Sequence, residues 1–529
     1  MAPDTDYVLA IDLGSSGPKV ALVSERGEIA ARASGTTLTR NTPDGGGEQD
    51  PDDWWRAIGD CARQVLGEGR VPLERVLAVS CATQWSVTVP VDEQGSHLMN
   101  AIHWSDSRGA VHTARVTDGL VKISGYGVGP LVRWVRLTGG APTQSGADGL
   151  AHILFIRHER PEVYRRTYKF LEPMDYINFR LTGRAVASHA TIYPYLLTDN
   201  RDNTRVRYDD RLIARCGLDR AKLPDLVPLG TVLGPIRPEI ADAWGLSRAA
   251  RVIGGTPDSQ AGALGSGAVR DFAAHVCVGT TAWLSCHVPF KKTNVFNYIA
   301  TMPSAIHGRN MVVAEQGAAG KCLQAFVENW LFPSDELAAD GAPADVYQRL
   351  ECLAAGVPPG SGGLLFLPWL NGAGPPSGEG TVRGGFLNQS LHTGRSHAVR
   401  AVMEGVAFNL RWLRGSVERF VGRPFDGLNL IGGCARSDLW CRILADVLDC
   451  PLRRMADPEM AIARGAAMVA WVALGRATVD QLASLARVDC TFQPNPRHRA
   501  LYKELFAEFL NSYKATRGIF RRLNARRSK

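Results

Sequence analysis

The first run of residues able to do chemistry is Ile11-Asp12-Leu13-Gly14-Ser15-Ser16-Gly17-Pro18-Lys19, an acid ending an apolar stretch and followed by a glycine and hydroxyl turn. Backbone N–H groups and hydroxyls in such a turn are donors for phosphate oxygens. Asp12 offers a hard carboxylate oxygen to Mg2+ and Lys19 a charge to phosphate. A strand-end turn acid and a solvated lysine are the plainer readings of the same two residues. Gly279-Thr280-Thr281 repeats the pattern about half a chain length further on. A third glycine site, Ile431-Gly432-Gly433-Cys434-Ala435-Arg436-Ser437, lets a flat ring or a phosphate approach the backbone, or is simply a tight turn into a helix. Between the two hydroxyl turns, Asp258 follows Gly254-Gly255-Thr256-Pro257 and opens a run of small residues. It is either the base that takes the proton of an attacking hydroxyl or the cap of a helix. At a helix N-terminus the dipole should depress its pKa.

These residues need elements that bring them together. Tyr7 to Asp12 and Lys19 to Val23 are apolar β-type runs, so the first turn joins two antiparallel strands. A third short strand is expected at 28–33. A helix is expected from Asp52, with Trp54, Ile58, Cys61 and Val65 on one face, and a buried strand at 76–80. This order differs from a Rossmann unit or a P-loop, where the glycine turn opens a helix. Ala274–Val278 and Ala282–Cys286 flank the second hydroxyl turn in the same way, which points to a duplicated architecture with one hairpin from each half facing a central cleft. After Gly432-Gly433, the residues Leu439, Ile443, Leu444 and Val447 mark a helix.

The chain has 529 residues, 45% of them apolar and 21% charged. At roughly 150 residues per domain this is a globular protein of more than one domain, and disorder, collagen and coiled coil are excluded. Eleven scattered cysteines without Cys-x-x-Cys spacing read as buried small residues in a reducing compartment. The acidic start without an apolar core and the lack of any long apolar stretch predict a cytoplasmic protein with no membrane partner. The net charge of +8 invites a nucleic-acid partner, but Lys514, Arg517, Arg521, Arg522, Arg526, Arg527 and Lys529 carry most of it, in a stretch with no acid from Phe509 onward. No nucleic-acid partner is expected, and the basic end reads as a solvated or frayed terminus. No zinc-type ligand set occurs among the twelve histidines.

Six collinear stretches resemble the FGGY carbohydrate kinase family, in its xylulokinase-like branch: the run from Ile11 to Lys19, Glu48-Gln49-Asp50-Pro51 through Trp54-Trp55, Trp104-Ser105-Asp106-Ser107-Arg108, Asp258 with Ala261-Gly262, Gly279-Thr280-Thr281, and Ile431-Gly432-Gly433 with Ala435-Arg436-Ser437. The resemblance runs from about residue 7 to 475. It implies an α/β, duplicated actin-like (ribonuclease H-like) two-lobe ATPase fold with a central cleft, ATP with Mg2+ in that cleft, and phosphorylation of a sugar hydroxyl. By motif position Asp258 is the catalytic base. Asp12 and Asp258 face the metal, and Gly14, Ser15, Ser16, Lys19, Gly279, Thr280 and Thr281 meet the phosphates. Gly432, Gly433, Cys434 and Ser437 lie on the nucleotide side. Gln84, Trp85, Trp104, Asp106 and Asp258 are the sugar candidates. The lobes are expected at 6–268 (sugar side) and 269–480 (nucleotide side), with a helical, basic tail at 481–529. A homodimer is a possible assembly.

The sequence departs from the family at three places. Gln84-Trp85-Ser86 stands where xylulokinases carry Gln-Met-His, so Trp85 either stacks on a sugar or fills space. Asn371-Gly372-Ala373-Gly374-Pro375-Pro376 stands where the family commonly has Gly-Glu-Arg-Thr-Pro, and Ser188-His189 where many relatives have an Asp; His189 reads as structural. The expectation is an ATP-dependent kinase of a small ketose, D-xylulose first. The competing readings are a kinase of another ketose or polyol such as ribulose, and a catalytically weak sugar or nucleotide sensor. An actin-like polymer or chaperone ATPase would share the fold but would not need Asp258 beside a sugar pocket.

Overall fold

Tyr7–Gly14 (β1) and Gly17–Ser24 (β2) pair antiparallel from Tyr7 opposite Ser24 to Gly14 opposite Gly17, so Ser15 and Ser16 alone form the turn. A computed structural model of the chain describes residues 5–335 and 341–524. Ile29–Ser34 (β3) completes the meander, and Pro51–Gly67 (α1) packs its buried Trp54, Ile58, Cys61 and Val65 beneath it, as the helical spacing predicts. Asp50 caps α1 by accepting the Asp52 N–H at 2.9 Å. Val76–Thr83 (β4) and Arg251–Pro257 (β6) then run parallel to β1, and Val232–Pro235 (β5) closes the edge antiparallel to β6. The first sheet is ordered β5-β6-β4-β1-β2-β3.

The short helix Asp258–Gly265 (α2) leads into the second lobe. There Ala274–Val278 (β7) and Ala282–Val288 (β8) form a second antiparallel hairpin around Gly279-Thr280-Thr281. Thr293–Asn294 (β9), Ile299–Pro303 (β10) and Asn310–Gln316 (β11) extend it on one side. Beyond the long helix Arg395–Val421 (α3), Leu428–Ile431 (β12) lies parallel to β7. The helix Asp438–Leu448 (α4) leads to Leu452–Met455 (β13), which is parallel to β12, and Val488–Phe492 (β14) closes the sheet. The order is β9-β10-β11-β8-β7-β12-β13-β14. Both sheets therefore carry the same unit, a hairpin whose first strand continues into parallel neighbours. This is the duplicated, actin-like two-lobe fold.

The helix Ala461–Ala473 (α5) sits between the lobes. Its Ala463, Ala466, Ala467, Ala470 and Trp471 share one apolar cluster with Val8, Ala10, Val23 and Ile253 of the first sheet. Buried Arg464 donates to the carbonyls of Gly27 at 2.9 Å and Ala456 at 2.8 Å, and the Trp471 indole N–H donates to the Ser24 carbonyl at 3.2 Å.

The chain end is better anchored than its charge suggests. The helix Arg499–Asn524 (α6) buries Tyr502, Phe509 and Tyr513 against Trp369, Phe408 and Trp412, with Trp369 and Phe509 ring centroids 5.2 Å apart. Its apolar stripe docks, so this stretch is neither solvated all round nor frayed; Arg521 pairs with Glu379 at 2.8 Å. Arg526, Arg527 and Lys529 lie outside the described residues. The Tyr502 hydroxyl donates to buried Glu404 at 2.8 Å, which also pairs with Arg400 at 2.9 Å. Tyr502→Phe leaves that carboxylate one donor short and is expected to cost about 1–3 kcal/mol. A lower thermal midpoint at unchanged kcat is the measurement that checks it.

Candidate active site

Leu13, Thr83 and Pro257 are register partners across β1, β4 and β6, so the residues at the carboxyl ends of three adjacent parallel strands are Asp12, Gln84 and Asp258. Ligands of open α/β sheets bind at such strand ends. Asp12 is buried beside the turn, and its hairpin partner Lys19 reaches it at 3.4 Å. Burial holds the Asp12 carboxyl above the ordinary range against the pull of Lys19, while the Asp12 charge holds the Lys19 ammonium up. Lys19 is therefore a paired cation lining the cleft rather than a freely solvated one.

Asp258 is the first residue of α2 and not its cap; Pro257 occupies the cap position, and Asp258 accepts the Ser259 N–H at 2.6 Å. Its carboxyl is pushed up to about 8, by burial first, then by the charges of Asp12 and Glu315. The expected dipole depression is overturned. α2 is only eight residues long, and its N–H contribution is outweighed by desolvation and two like charges. A base tuned towards neutrality is better matched to a hydroxyl proton than an ordinary Asp.

Glu315 is the residue that sequence reasoning missed. It lies near the end of β11, is reached by water from the cleft, and is nonetheless pushed up to about 7 by the surrounding protein, against a hydrogen bond with Thr281 of the second hydroxyl turn. The available signal was an acid closing the apolar run Met311-Val312-Val313-Ala314, the same pattern as Asp12 after Ile11. Removing this like charge lowers the Asp258 pKa. Glu315→Gln is therefore expected to move the acid limb of kcat/KM towards lower pH, read from a pH–rate profile.

On the second lobe, Val278 ends β7 and Gly432 directly follows its parallel neighbour β12. The turn is packed on the start of the helix Gly320–Phe326: Gly320 and Lys321 donate to the carbonyls of Gly279 at 2.8 Å and Thr280 at 3.2 Å. Gly432 has φ +100°, and a Cβ there would lie 2.5 Å from the Val278 carbonyl oxygen, so only glycine lets the two strand ends close up. Cys434 is half-buried with Sγ 3.7 Å from the Gly279 carbonyl, and Ser437 caps α4 by accepting the Trp440 N–H at 3.1 Å.

The sugar candidates divide. Trp104 donates its indole N–H to Ser15 Oγ at 2.9 Å, and Ser15 donates to Gln84 at 2.9 Å, so these three form one unit. Trp85 donates to the Thr191 carbonyl at 2.9 Å and packs on Tyr193, with ring centroids 5.8 Å apart. It is a wall tied into the protein. Asp106 is fully buried and accepts the N–H groups of Gly47 and Arg108 together with the Arg108 guanidinium, so its oxygens are committed to shaping the Trp104 loop. Ser86, beside Trp85, has φ +62°; the following Val87 N–H donates to buried Glu172 at 3.1 Å. The departure at 371–376 also has a steric correlate. A Cβ on Gly374 would lie 2.5 Å from the Glu315 carbonyl oxygen, and Gln316 donates to the Pro375 carbonyl at 2.6 Å. His189 Nε2 lies 3.3 Å from the Ser304 carbonyl, across to the second lobe.

Models of the FGGY family of carbohydrate kinases match the chain twice, its N-terminal domain at residues 7–265 and its C-terminal domain at 276–474. The chain belongs to the FGGY family of carbohydrate kinases. It is a phosphotransferase with an alcohol group as acceptor. Among relatives of this FGGY kinase, the xylulose kinase of Escherichia coli K12 is 30% identical over 88% of this chain and 90% of its own. That of Lactococcus lactis is 27% identical over 98% of each, and the gluconokinase of Bacillus subtilis is 25% identical over 84% and 83%. Among solved structures, the gluconate kinase of Lactobacillus acidophilus superposes with a TM-score of 0.82 at 21% identity, over 98% of this chain and 100% of that one. The ligand-bound xylulose kinase of the same organism gives 0.81 at 21%, over 97% and 98%. Among the described residues no helix is long and apolar enough to cross a membrane.

Proposed function

We propose that this FGGY kinase transfers the γ-phosphate of ATP to a primary hydroxyl of a small ketose, D-xylulose first. The observation that carries the reading is Asp258, raised to about 8 by burial and by Asp12 and Glu315, one acid from each lobe. The residues suit a nucleotide. At Gly14 and Gly279 an added Cβ would meet nothing nearer than 3.8 Å, and at Gly433 nothing within 4 Å, so three glycines border open space at the strand ends. The donor set of Asp12 and Asp258 is the hard oxygen type that suits Mg2+, which when bound offsets phosphate charge as it develops.

In the proposed step the Asp258 carboxylate accepts the proton of the sugar hydroxyl, the sugar oxygen forms a bond to the γ-phosphorus, and the bond from phosphorus to the β,γ-bridging oxygen breaks to release ADP. Lys19 and the donors of the Ser16 and Thr280–Thr281 turns face the phosphates. Closure of the lobes excludes water from the transfer. D-xylulose is favoured by the relatives named xylulose kinase that span nearly the whole chain. Trp85 favours a second reading, another ketose, polyol or sugar acid such as ribulose or gluconate, because its bulk is fixed where xylulokinases carry Met and His follows. ADP release measured with D-xylulose, D-ribulose, gluconate and glycerol tests both. If no member of that panel raises turnover above water-driven hydrolysis, the kinase reading fails; if one other than D-xylulose dominates, the second reading replaces the first.

A further inference from the structure

In the Glu48-Gln49-Asp50-Pro51 stretch, Gln49 is fully buried and every hydrogen-bonding valence of its amide is used. Its Oε1 accepts from Gln84 Nε2 at 2.6 Å and from the Trp54 indole at 3.1 Å. Its Nε2 donates to the Ser15 carbonyl at 2.9 Å and to Thr39 Oγ1 at 2.8 Å. An indole N–H only donates and a carbonyl only accepts, so the amide has one orientation, as does the Ser15 hydroxyl. Trp104 donates into Ser15 Oγ, and the single Ser15 proton goes to Gln84 Oε1. Gln84 in turn donates its backbone N–H to the Leu13 carbonyl at 2.7 Å. The strand carrying Gln49 also donates the Gly47 N–H to Asp106, at the base of the Trp104 loop, at 3.0 Å.

Two consequences follow for the proposed kinase. Ser15 spends its proton inside the protein, so the side-chain donor that the first turn offers to phosphate is Ser16. And the sugar-side residues Trp104 and Gln84 are joined through Ser15 and Gln49 to the backbone of the phosphate turn. A hydrogen-bonded network with Gln49 and Gln84 buried at its centre transmits displacement, because a member that moves leaves a buried partner unpaired.

We propose that Gln49 and Ser15 are positioning residues that couple occupancy of the sugar pocket to the geometry of the Gly14–Gly17 phosphate turn. The inference rests on the kinase reading above. Coupling of this kind is an affinity ratio, commonly about 5- to 150-fold, and it is reciprocal between the two ligands. The test is calorimetric ADP affinity with and without the panel sugar that gives most turnover, for the wild type, Ser15→Ala, Gln49→Glu and Trp104→Phe, with thermal melts beside them. In the wild type the sugar should change the ADP dissociation constant by about 5-fold or more. In Ser15→Ala and Gln49→Glu that ratio should collapse towards one, with sugar affinity alone kept within about 3-fold. Trp104→Phe, which removes the indole donor to Ser15 together with part of the ring on the sugar side, should likewise shrink the ratio measured on the nucleotide side.

The proposal is overturned if the wild type shows no such ratio, if the variants keep it, or if both affinities fall in parallel with the melting temperature, as a purely structural role requires. Should buried Gln49→Glu fail to fold, Ser15→Ala in the half-buried turn decides alone. Absence of sugar-dependent turnover in the wild type would instead defeat the kinase reading, so the two failures are told apart.

Discussion

Asp258→Asn is expected to cut sugar-dependent ADP release by about 10²–10⁴-fold, the usual worth of a positioned general base, and at the same time to make the protein more stable in mild alkali. The stability half follows from linkage. An unfolded Asp releases its proton near 4, whereas the folded Asp258 holds it to about 8. Across that window the native state binds the extra proton, so the contribution of this group is full below about 4 and is lost as the pH rises through 8. Asn does not titrate and loses nothing. The thermal midpoint of the variant should therefore pull away from that of the wild type between pH 5 and 8. Water reaches part of the carboxyl, so the gap is on the order of 1–3 kcal/mol rather than the full linkage value. The wild-type kcat/KM should rise with pH along an acid limb near 8. A variant that keeps its sugar-dependent turnover would move the base elsewhere, and a constant midpoint difference would mean that Asp258 titrates as an ordinary surface acid.

What could be read in the sequence was local. Asp12 closes an apolar strand and is followed by a two-residue turn between glycines, and that chemistry depends on its neighbours in the chain. The hairpin, the matching hairpin around Gly279 and the helix after Ser437 all form where the spacing places them. What could not be read depends on partners far along the chain. Ser15 looks like a phosphate hydroxyl until Trp104 and Gln84 are found on either side of it. Asp106 looks like a sugar ligand until Arg108 and Gly47 fill its oxygens. The Asp258 shift, set first by burial and by Asp12, also draws on Glu315, which a fold of two lobes brings in from a different sheet. The basic terminus misled for a related reason: its described charges, Lys514, Arg517, Arg521 and Arg522, lie on the exposed side of a helix whose other face, Tyr502, Phe509 and Tyr513, is docked.

The lobes themselves meet at two glycines, and the second large effect is expected there. A Cβ on Gly465 of α5 would lie 1.8 Å from the carbonyl oxygen of Ala261 in α2, and a Cβ on Gly265 would lie 1.8 Å from the carbonyl oxygen of Ala461. On its own, a helical Gly→Ala change gains about 1 kcal/mol. At Gly465 the sign should reverse, because the colliding atoms are backbone and the helices can relieve the overlap only by moving apart. Overpacking of that kind costs about 1–3 kcal/mol. The movement also carries α2, and therefore Asp258 at its first position, away from Asp12 and Lys19. A displacement of about 1 Å at a reacting group costs on the order of 10²-fold in rate. Gly465→Ala is thus expected to lower both the thermal midpoint and kcat. Gly518→Ala, the same change in α6 where the nearest atom to a Cβ is the mobile end of Arg522 at 3.8 Å, should raise the midpoint slightly and leave kcat alone. Equal and small effects at the two positions would show that α2 and α5 do not hold the cleft; opposite signs would show that their close crossing does.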